Sequence, residues 1–331
     1  MKIKVTDLME LAKKILKLQG YSEEEAQTIS DVLMYAQLRG NNQGLVKLIG
    51  KGMPKNPKAG EIKIVKETRI SALLDGNKNQ GMVVMKKALE VALSKAKENG
   101  FAIVGTNNTS TSTGAIGYYA RQIAEQGYIG FVFAGSPETV NAHGSYQPIF
   151  GTNPLAIGMP SAKDPVVLDM ATASMAYYGL IEAKTAGRNI PHGMAYDSSG
   201  NITTDPAKAM EGAIMPFDRG YKSSGLSLMV EILTGPLVQA SFTGIGDTKG
   251  NWGNLIFIID PELLTDRDDL RNQVSQLVEK VKATKKLPTT DEILVPGERG
   301  GKLASERKRR NEIEIEDNLY REIIVASGGQ P

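Results

Sequence analysis

The chain has 331 residues, of which 41% are hydrophobic and 23% are charged. A length near two typical domains and this average composition predict a folded chain with a large core, and they exclude disordered and fibrous classes. The 39 basic and 37 acidic side chains give a formal net charge of +2, which provides no strong field for nucleic acid or an anionic membrane. The absence of Cys excludes disulfides and thiolate metal sites, and the two histidines, His143 and His192, are too few for a three-histidine metal site.

The first residues do not resemble a secretory signal, because the charged start MKIKVTD has no long apolar core and reaches an acid at Asp7. Apolar runs such as residues 255–259 are far shorter than the about 20 residues of a membrane span. We therefore expect a cytoplasmic protein with neither a membrane nor a nucleic-acid partner.

The chain opens with a predicted helical hairpin. Residues 7–19 carry their apolar side chains on one stripe, with Asp7 as the cap and Gly20 as the stop. The second helix runs to Arg39, and Ser22 and Glu25 at its start have the spacing of a capping box.

From about residue 71, strands alternate with helices, which predicts an α/β region. The predicted elements are a strand at 70–74, a helix at 82–99, a strand at 101–105, a helix at 114–125, strands at 128–134 and 166–168, a helix at 226–237 and a strand at 255–259. Residues 135–225 are rich in Gly, Pro, Asn, Asp and Ser, which is typical either of functional loops or of a long connection.

The last part of the chain is charged and mostly helical in pattern, with a helix candidate at 264–281 and a loop at 288–301. Residues 305–327 are predicted to form either a charged helix or a helix followed by a strand. Its basic run at 306–310 is followed by acidic residues, which predicts a solvated face. The pattern separates helical segments at residues 1–70 and 261–331 from an α/β domain at 71–260.

The usual phosphate-binding signatures are absent: no GxxxxGK[ST] occurs, and GIGDTKG at 244–250 has one residue too many for GxGxxG. Other polar segments remain candidates. Residues 110–114 lead into a predicted helix, where they either hold an anion or form an ordinary cap. Asp169 follows a strand, where a carboxylate meets a ribose hydroxyl or caps a turn. Lys222 precedes a helix and either binds an anion or is solvated.

Five segments, taken in order, resemble the malate/L-lactate dehydrogenase family of nicotinamide-dependent oxidoreductases, which is separate from the Rossmann-type dehydrogenases. The resemblance extends over residues 31–261 and 295–299. Its segments are GAIGYYA at 114–120, GTNP at 151–154, LDMAT at 168–172, GYK at 220–222 with GL at 225–226, and PGER at 296–299. It implies a mixed α/β fold with a largely antiparallel mixed sheet that binds the dinucleotide, a helical domain from both chain ends, and a homodimer whose cleft is completed across subunits.

The resemblance also implies individual roles. The residues that match cofactor contacts, for NAD or NADP, are Ser136, Asp169, Met170, Ala171, Lys222, Gly297, Glu298 and Arg299. Arg39 matches an arginine whose fork of donors suits the carboxylate of a small 2-hydroxy or 2-oxo acid. The resemblance therefore predicts an NAD(P)-dependent oxidoreductase for such a substrate.

The chain departs from the family at its two expected proton carriers. Gln43 stands in place of one histidine, in a loop shorter by one residue, and Ser112 stands in place of the other. Neither side chain titrates near neutral pH. Proton transfer then falls to Lys222, to His143 or to a water held by Ser112 and Gln43, unless the substrate is an imine that is already protonated. The alternatives are a cyclic imino-acid reductase and a dinucleotide-binding protein without turnover.

Overall fold

A computed structural model describes residues 1–246 and 251–330, so residues 247–250 of the glycine-rich segment noted above lie outside the described residues. The helices are α1 (Val5–Leu18), α2 (Glu23–Leu38), α3 (Gly81–Asn99), α4 (Gly117–Glu125), α5 (Tyr177–Thr185), α6 (Pro206–Glu211), α7 (Tyr221–Thr234), α8 (Arg267–Lys282), α9 (Glu298–Arg310) and α10 (Asp317–Ala326). The strands are β1 (Lys2–Lys4), β2 (Lys63–Glu67), β3 (Ser71–Asp75), β4 (Phe101–Thr109), β5 (Ile129–Ala134), β6 (Val140–Asn141), β7 (Pro148–Phe150), β8 (Leu155–Met159), β9 (Val166–Met170), β10 (Ala195–Tyr196), β11 (Ile202–Thr203), β12 (Ala213–Ile214), β13 (Trp252–Ile259) and β14 (Glu312–Glu314).

A seven-stranded sheet lies at the centre, in the order β2-β3-β4-β13-β5-β8-β9. Its described strands pair antiparallel, except that β3 and β4 are parallel. Parallel neighbours need a crossover, and α3 supplies it between β3 and β4. The prediction of a mixed α/β fold with a largely antiparallel sheet is confirmed.

The two faces of this sheet pack against different helices, because side chains alternate along each strand. One face carries the fully buried side chains of Ala102, Val104, Val132, Ile256 and Ile258, which join α1 to α4 in the main core. On the other face Phe133 and Phe257 pack edge to face at 6.0 Å. The α7 helix lies against β5 and β13 and carries partly buried Leu233 into the cluster on that face.

Both chain ends contribute to one helical layer. Strand β1 pairs antiparallel with β14, and α1 and α2 contact α10 and α9. The Met1 ammonium donates to the Ile315 carbonyl at 2.8 Å. The division into units at residues 70 and 260 stays a prediction; β2, on the N-terminal side of that boundary, pairs with β3 in the central sheet.

The loop-rich region between residues 135 and 225 has a core of its own. Short strands form a second sheet in the order β11-β10-β12-β6-β7, beside α5 and α6. Its buried side chains include Val140, Leu180, Ile190, Ala195 and Ile214. This region is therefore a packed unit rather than an unstructured connection.

Candidate active site

A cleft of about 790 Å³ lies between the end of α2, the start of α4, the end of β9 and the loop before α9. This volume falls in the range of about 300–1,000 Å³ that small-molecule sites occupy. The predicted site residues in its lining are Arg39, Gln43, Asp169, Met170, Ala171, Gly297 and Arg299. The fold thus brings together segments from the two ends and the middle of the chain.

Arg39 lies where α2 ends and faces the cleft as a cation without a carboxylate partner. Its guanidinium carbon lies 3.7 Å from the centre of the Tyr35 ring, and its Nη1 donates weakly to the Tyr35 carbonyl at 3.4 Å. The ion pairs of residues 1–246 and 251–330 do not include it. Burial lowers the pKa of Arg39, but a guanidinium stays charged at any physiological pH. An unpaired, partly buried fork of donors suits a carboxylate ligand.

Asp169 lies at the end of β9, and its carboxylate meets the start of α4. Its Oδ2 accepts a hydrogen bond from the Gly117 backbone N–H at 2.9 Å. A Cβ at Gly117 would lie 2.7 Å from that oxygen, so the close approach requires glycine. The helix terminus that follows residues 110–114 is therefore occupied by a carboxylate of the chain itself. Burial raises the pKa of Asp169 to about 6, and the bond from Gly117 opposes the shift.

The loop before α9 closes one side of the cleft. Gly297 has a φ of 85°, and a Cβ there would lie 2.9 Å from the Val167 carbonyl oxygen. Arg299 lines the cleft, whereas the Glu298 carboxylate binds Lys282 and, at 3.1 Å, Lys302. Burial acts to raise the pKa of Glu298, but hydrogen bonds, led by the one from Lys282, outweigh it and hold the pKa at about 2. Glu298 therefore anchors the loop instead of lining the cleft.

Besides Ser112, which is described below, three other predicted residues lie outside the lining. The Ser136 hydroxyl accepts the backbone N–H of Thr152 at 3.0 Å, and Thr152 lines the cleft, so Ser136 lies directly behind the wall. Lys222 is exposed in the first turn of α7. His143 lines a separate depression, with its ring 6.5 Å from the Tyr221 ring.

Of the two positions predicted to replace histidines, one lines the cleft and the other lies beside the lining. Gln43 is in the lining, and its backbone N–H donates to the Asn41 side chain at 2.9 Å. Ser112 lies two residues before Gly114, which is in the lining, and its hydroxyl accepts the Gly114 N–H at 3.2 Å.

The lining of the cleft combines charged, apolar and backbone groups. Neither Arg39 nor Arg299 has an ion-pair partner among the described residues, which leaves two cations for phosphate or carboxylate groups. Gly297 permits its loop to pack closely on the Val167 carbonyl. Met170, Met175 and Phe217 supply apolar surface to the cleft. In the described part of the chain, no group of three or more His, Asp or Glu is placed to hold a metal ion. No helix of that part is long and apolar enough to cross a membrane.

The family model for malate/L-lactate dehydrogenase matches residues 3–324. The chain belongs to the malate/L-lactate dehydrogenase family. One similar protein is the L-sulfolactate dehydrogenase of Methanothermobacter thermautotrophicus, which is 35% identical over 98% of this chain and 96% of that protein. The NAD(+)-dependent ureidoglycolate dehydrogenase of Escherichia coli K12 is 31% identical over 98% and 95%. The solved structure of sulfolactate dehydrogenase from Methanocaldococcus jannaschii has 34% identity and a TM-score of 0.82, covering 100% of this chain and 98% of that one.

These relatives are named dehydrogenases of hydroxy acids, and this member of the malate/L-lactate dehydrogenase family is an oxidoreductase acting on a CH–OH group. The earlier resemblance is thereby confirmed at the level of the family. The roles assigned to individual residues stay predictions.

Sequence reasoning missed one charged residue of this dehydrogenase. Lys47 follows Gly44 in the 3₁₀ turn of residues Leu45–Leu48, and it is only 2% exposed. Its Nζ donates to the Ser112 hydroxyl at 2.9 Å and lies 3.3 Å from the centre of the Tyr178 ring. Burial lowers the pKa of Lys47 well below its ordinary value. The sequence contains one signal that could have identified it: a single lysine within the otherwise apolar run LVKLI, where a charged residue is not expected.

Proposed function

We propose that this dehydrogenase uses NAD or NADP to interconvert a small 2-hydroxy acid and its 2-oxo acid in the cleft described above. The observation that carries the proposal is Arg39, a partly buried guanidinium that faces the cleft without a carboxylate partner. A buried cation without a partner is costly, and a substrate carboxylate would compensate it with two parallel hydrogen bonds. The malate and sulfolactate dehydrogenases among the relatives act on acids of this kind.

The residues that would hold the cofactor lie along the walls of the cleft. Met170 and Ala171 supply the end of β9, and Gly297 and Arg299 supply the loop opposite. The bound nicotinamide would accept or supply the hydride. Ser136 would position Thr152 from behind the wall, and Glu298 would position the loop. Lys222 and His143 lie outside the lining, so within one chain this proposal gives neither of them a part in the reaction.

A homodimer belongs to the same proposal. The outer face of α7 and the turn after it expose apolar side chains, although α7 is packed against the sheet on its inner side. The exposed residues are Leu228, Met229, Ile232 and Leu237, each between 43% and 53% accessible. A cluster of this kind is typical of an interface, and α7 carries Lys222, a predicted cofactor contact, in its first turn.

The proposal is tested by titrating NADH and NADPH separately into the purified protein and following nicotinamide fluorescence. Oxaloacetate, pyruvate, sulfopyruvate and a cyclic imino acid are then added, and absorbance is followed as the cofactor is consumed. We expect one nucleotide to bind and at least one 2-oxo acid to be reduced. Consumption with the imino acid alone would favour the reductase alternative, and binding without any consumption would favour a dinucleotide-binding protein. No binding of either nucleotide would overturn the proposal.

A further inference from the structure

The buried lysine described above has no carboxylate to balance its charge. Lys47 forms no ion pair within residues 1–246 and 251–330, and the titratable side chain placed against its Nζ there is the Tyr178 phenol of α5. The face of the Tyr178 ring favours the ammonium. Removal from water without a carboxylate outweighs this contact and lowers the pKa of Lys47 well below its ordinary value. Lys47 is therefore a neutral amine, and hence a base, at a lower pH than any surface lysine.

The hydroxyl of Ser112 connects this amine to the cleft. A serine hydroxyl has two acceptor sites and one hydrogen to donate. Both acceptor sites are filled, one by Lys47 Nζ at 2.9 Å and the other by the Gly114 N–H at 3.2 Å. The hydroxyl donates to no acceptor in the described part of the chain. Ser112 is partly exposed beside Gly114, a lining residue of the cleft. While Lys47 is an ammonium, this hydrogen is available to a ligand oxygen that reaches Ser112 from the cleft. When Lys47 is a neutral amine, the hydroxyl donates to Nζ instead, and its oxygen accepts from the ligand.

We infer that Ser112 and Lys47 together form the proton relay of this enzyme, with Ser112 touching the substrate oxygen and Lys47 acting through Ser112. The inference rests on the proposed function and supplies the acid/base that Gln43 and Ser112 alone do not provide. Lys47 is not one of the substitutes that the sequence suggested, which were Lys222, His143 and a bound water.

The proton and electron balance is complete in the direction of oxidation. The substrate hydroxyl gives its proton to Ser112 Oγ while the Ser112 proton passes to the neutral Lys47 amine. The C2 hydride leaves to the oxidised nicotinamide, and the O–H bonding electrons form the carbonyl π bond. Lys47 becomes an ammonium and Ser112 is regenerated as a hydroxyl. Reduction runs the same steps backwards, with the Lys47 ammonium as the acid.

The first test does not depend on turnover. The protein is labelled with lysine carrying ¹³C at Cε, and the Lys47 resonance is assigned by its absence in Lys47→Met. We expect Lys47 to titrate well below the surface lysines, since burial without a carboxylate disfavours the ammonium. We also expect NADH with oxamate, a stable analogue of a 2-oxo acid, to move the midpoint in the wild type more than in Ser112→Ala. The inference is overturned if Lys47 titrates at the same pH as the surface lysines, or if its midpoint does not move when NADH and oxamate are added.

The second test follows oxidation of L-malate and of L-sulfolactate. Lys47→Met should lower kcat by about 10²–10⁴-fold, and Lys47→Arg should be equally slow because a guanidinium does not release its proton. The wild-type kcat should rise with pH through the Lys47 midpoint, and this rise should be absent in Lys47→Met. Lys55→Met is the matched control, because Lys55 is part-buried but paired with Glu25 at 2.8 Å; it should keep kcat.

The proton relay and the proposed dehydrogenase function are contradicted by different results. If the wild type binds NADH and turns over while Lys47→Arg keeps full kcat, the relay is wrong and the dehydrogenase proposal stands. If the wild type binds neither nucleotide, the proposed function fails first.

Discussion

Asp169 is a residue on which two opposing electrostatic influences act. The Gly117 N–H at the start of α4 favours its charged form, while burial favours the neutral form. Burial dominates, so the pKa of Asp169 is about 6 instead of the ordinary 3.8. Because the folded state holds the proton more tightly than the unfolded state does, stability decreases as the pH rises from about 4 to 6. Residues whose charged form is disfavoured in a cleft are often functional.

We predict that Asp169→Asn removes this pH dependence, since an amide keeps an acceptor for Gly117 but does not ionise. The free energy of unfolding of the variant, relative to the wild type, should increase by up to about 3 kcal/mol between pH 4 and pH 8. Urea denaturation at several pH values measures this difference. A difference that stays constant across the range would show that Asp169 titrates like an exposed carboxylate.

Arg39→Ala should weaken binding of the 2-oxo acid without changing the affinity for NADH. A hydrogen bond to a charged group contributes about 1.5–3 kcal/mol, so KM should rise about ten- to a hundredfold. Arg39→Lys should recover only part of the loss, because an ammonium lacks the planar fork. Steady-state kinetics with the best substrate of the panel measures both variants. An unchanged KM in Arg39→Ala would remove Arg39 from the substrate site.

Among the helices and strands, those whose ends carry a capping side chain or a glycine could be predicted from the sequence. The α2 capping box is confirmed, with the Ser22 hydroxyl accepting from Glu25 N–H at 3.2 Å, and α3 ends before Gly100 at a φ of 77°. The expected Asp7 cap is wrong: α1 begins at Val5, and Asp7 lies inside its first turn. Strand β2, with the sequence KIVKE, was missed because all five residues are exposed and carry no apolar alternation.

Sequence analysis identified residues of the candidate site only where they belong to a recognisable motif. Met170, Ala171 and Gly297 line the cleft as expected from local segments of sequence. Lys47 and Ser112 are 65 residues apart, and nothing in either segment indicates that one reaches the other. Such contacts depend on how α5, α3 and the first helices pack, which periodicity does not reveal.

The outer face of α7 gives a prediction at the same scale. Ile232→Glu should place a charge in the proposed dimer interface and reduce the mass in solution from two chains to one, as measured by light scattering after gel filtration. Leu277→Glu is the matched control, because Leu277 is 62% exposed on α8, away from that face, and should leave the mass unchanged. A wild type that already has the mass of one chain would contradict the homodimer.

For the molecule as a whole, the two ends of the chain support the cleft together. Arg307 of α9 donates to the carbonyls of Gln37 and Leu38, at 2.9 and 3.0 Å, immediately before Arg39. A Cβ at Gly300 would lie 3.1 Å from the Arg39 Cβ, so α9 packs directly on the arginine. The end of α2 that carries Arg39 is thus held by a helix about 270 residues later in the chain.

Arg307→Ala should therefore affect both stability and catalysis. Loss of two hydrogen bonds from a charged donor should lower the free energy of unfolding by about 1.5–3 kcal/mol, and a less fixed Arg39 should raise KM severalfold. Arg309→Ala, at an exposed position of the same helix, is the control and should change neither quantity. If Arg307→Ala destabilises the protein while KM stays constant, α9 supports the fold without positioning Arg39.

The pairing of β1 with β14 has a consequence for biosynthesis. Strand β1 waits for a partner that is synthesised about 310 residues later, because Lys2 pairs with Glu314. Until residues 295–310 are translated, the nascent chain lacks one wall of the cleft and the helix that steadies Arg39. A product terminated before these residues would therefore lack this wall of the cleft and the contacts that hold Arg39.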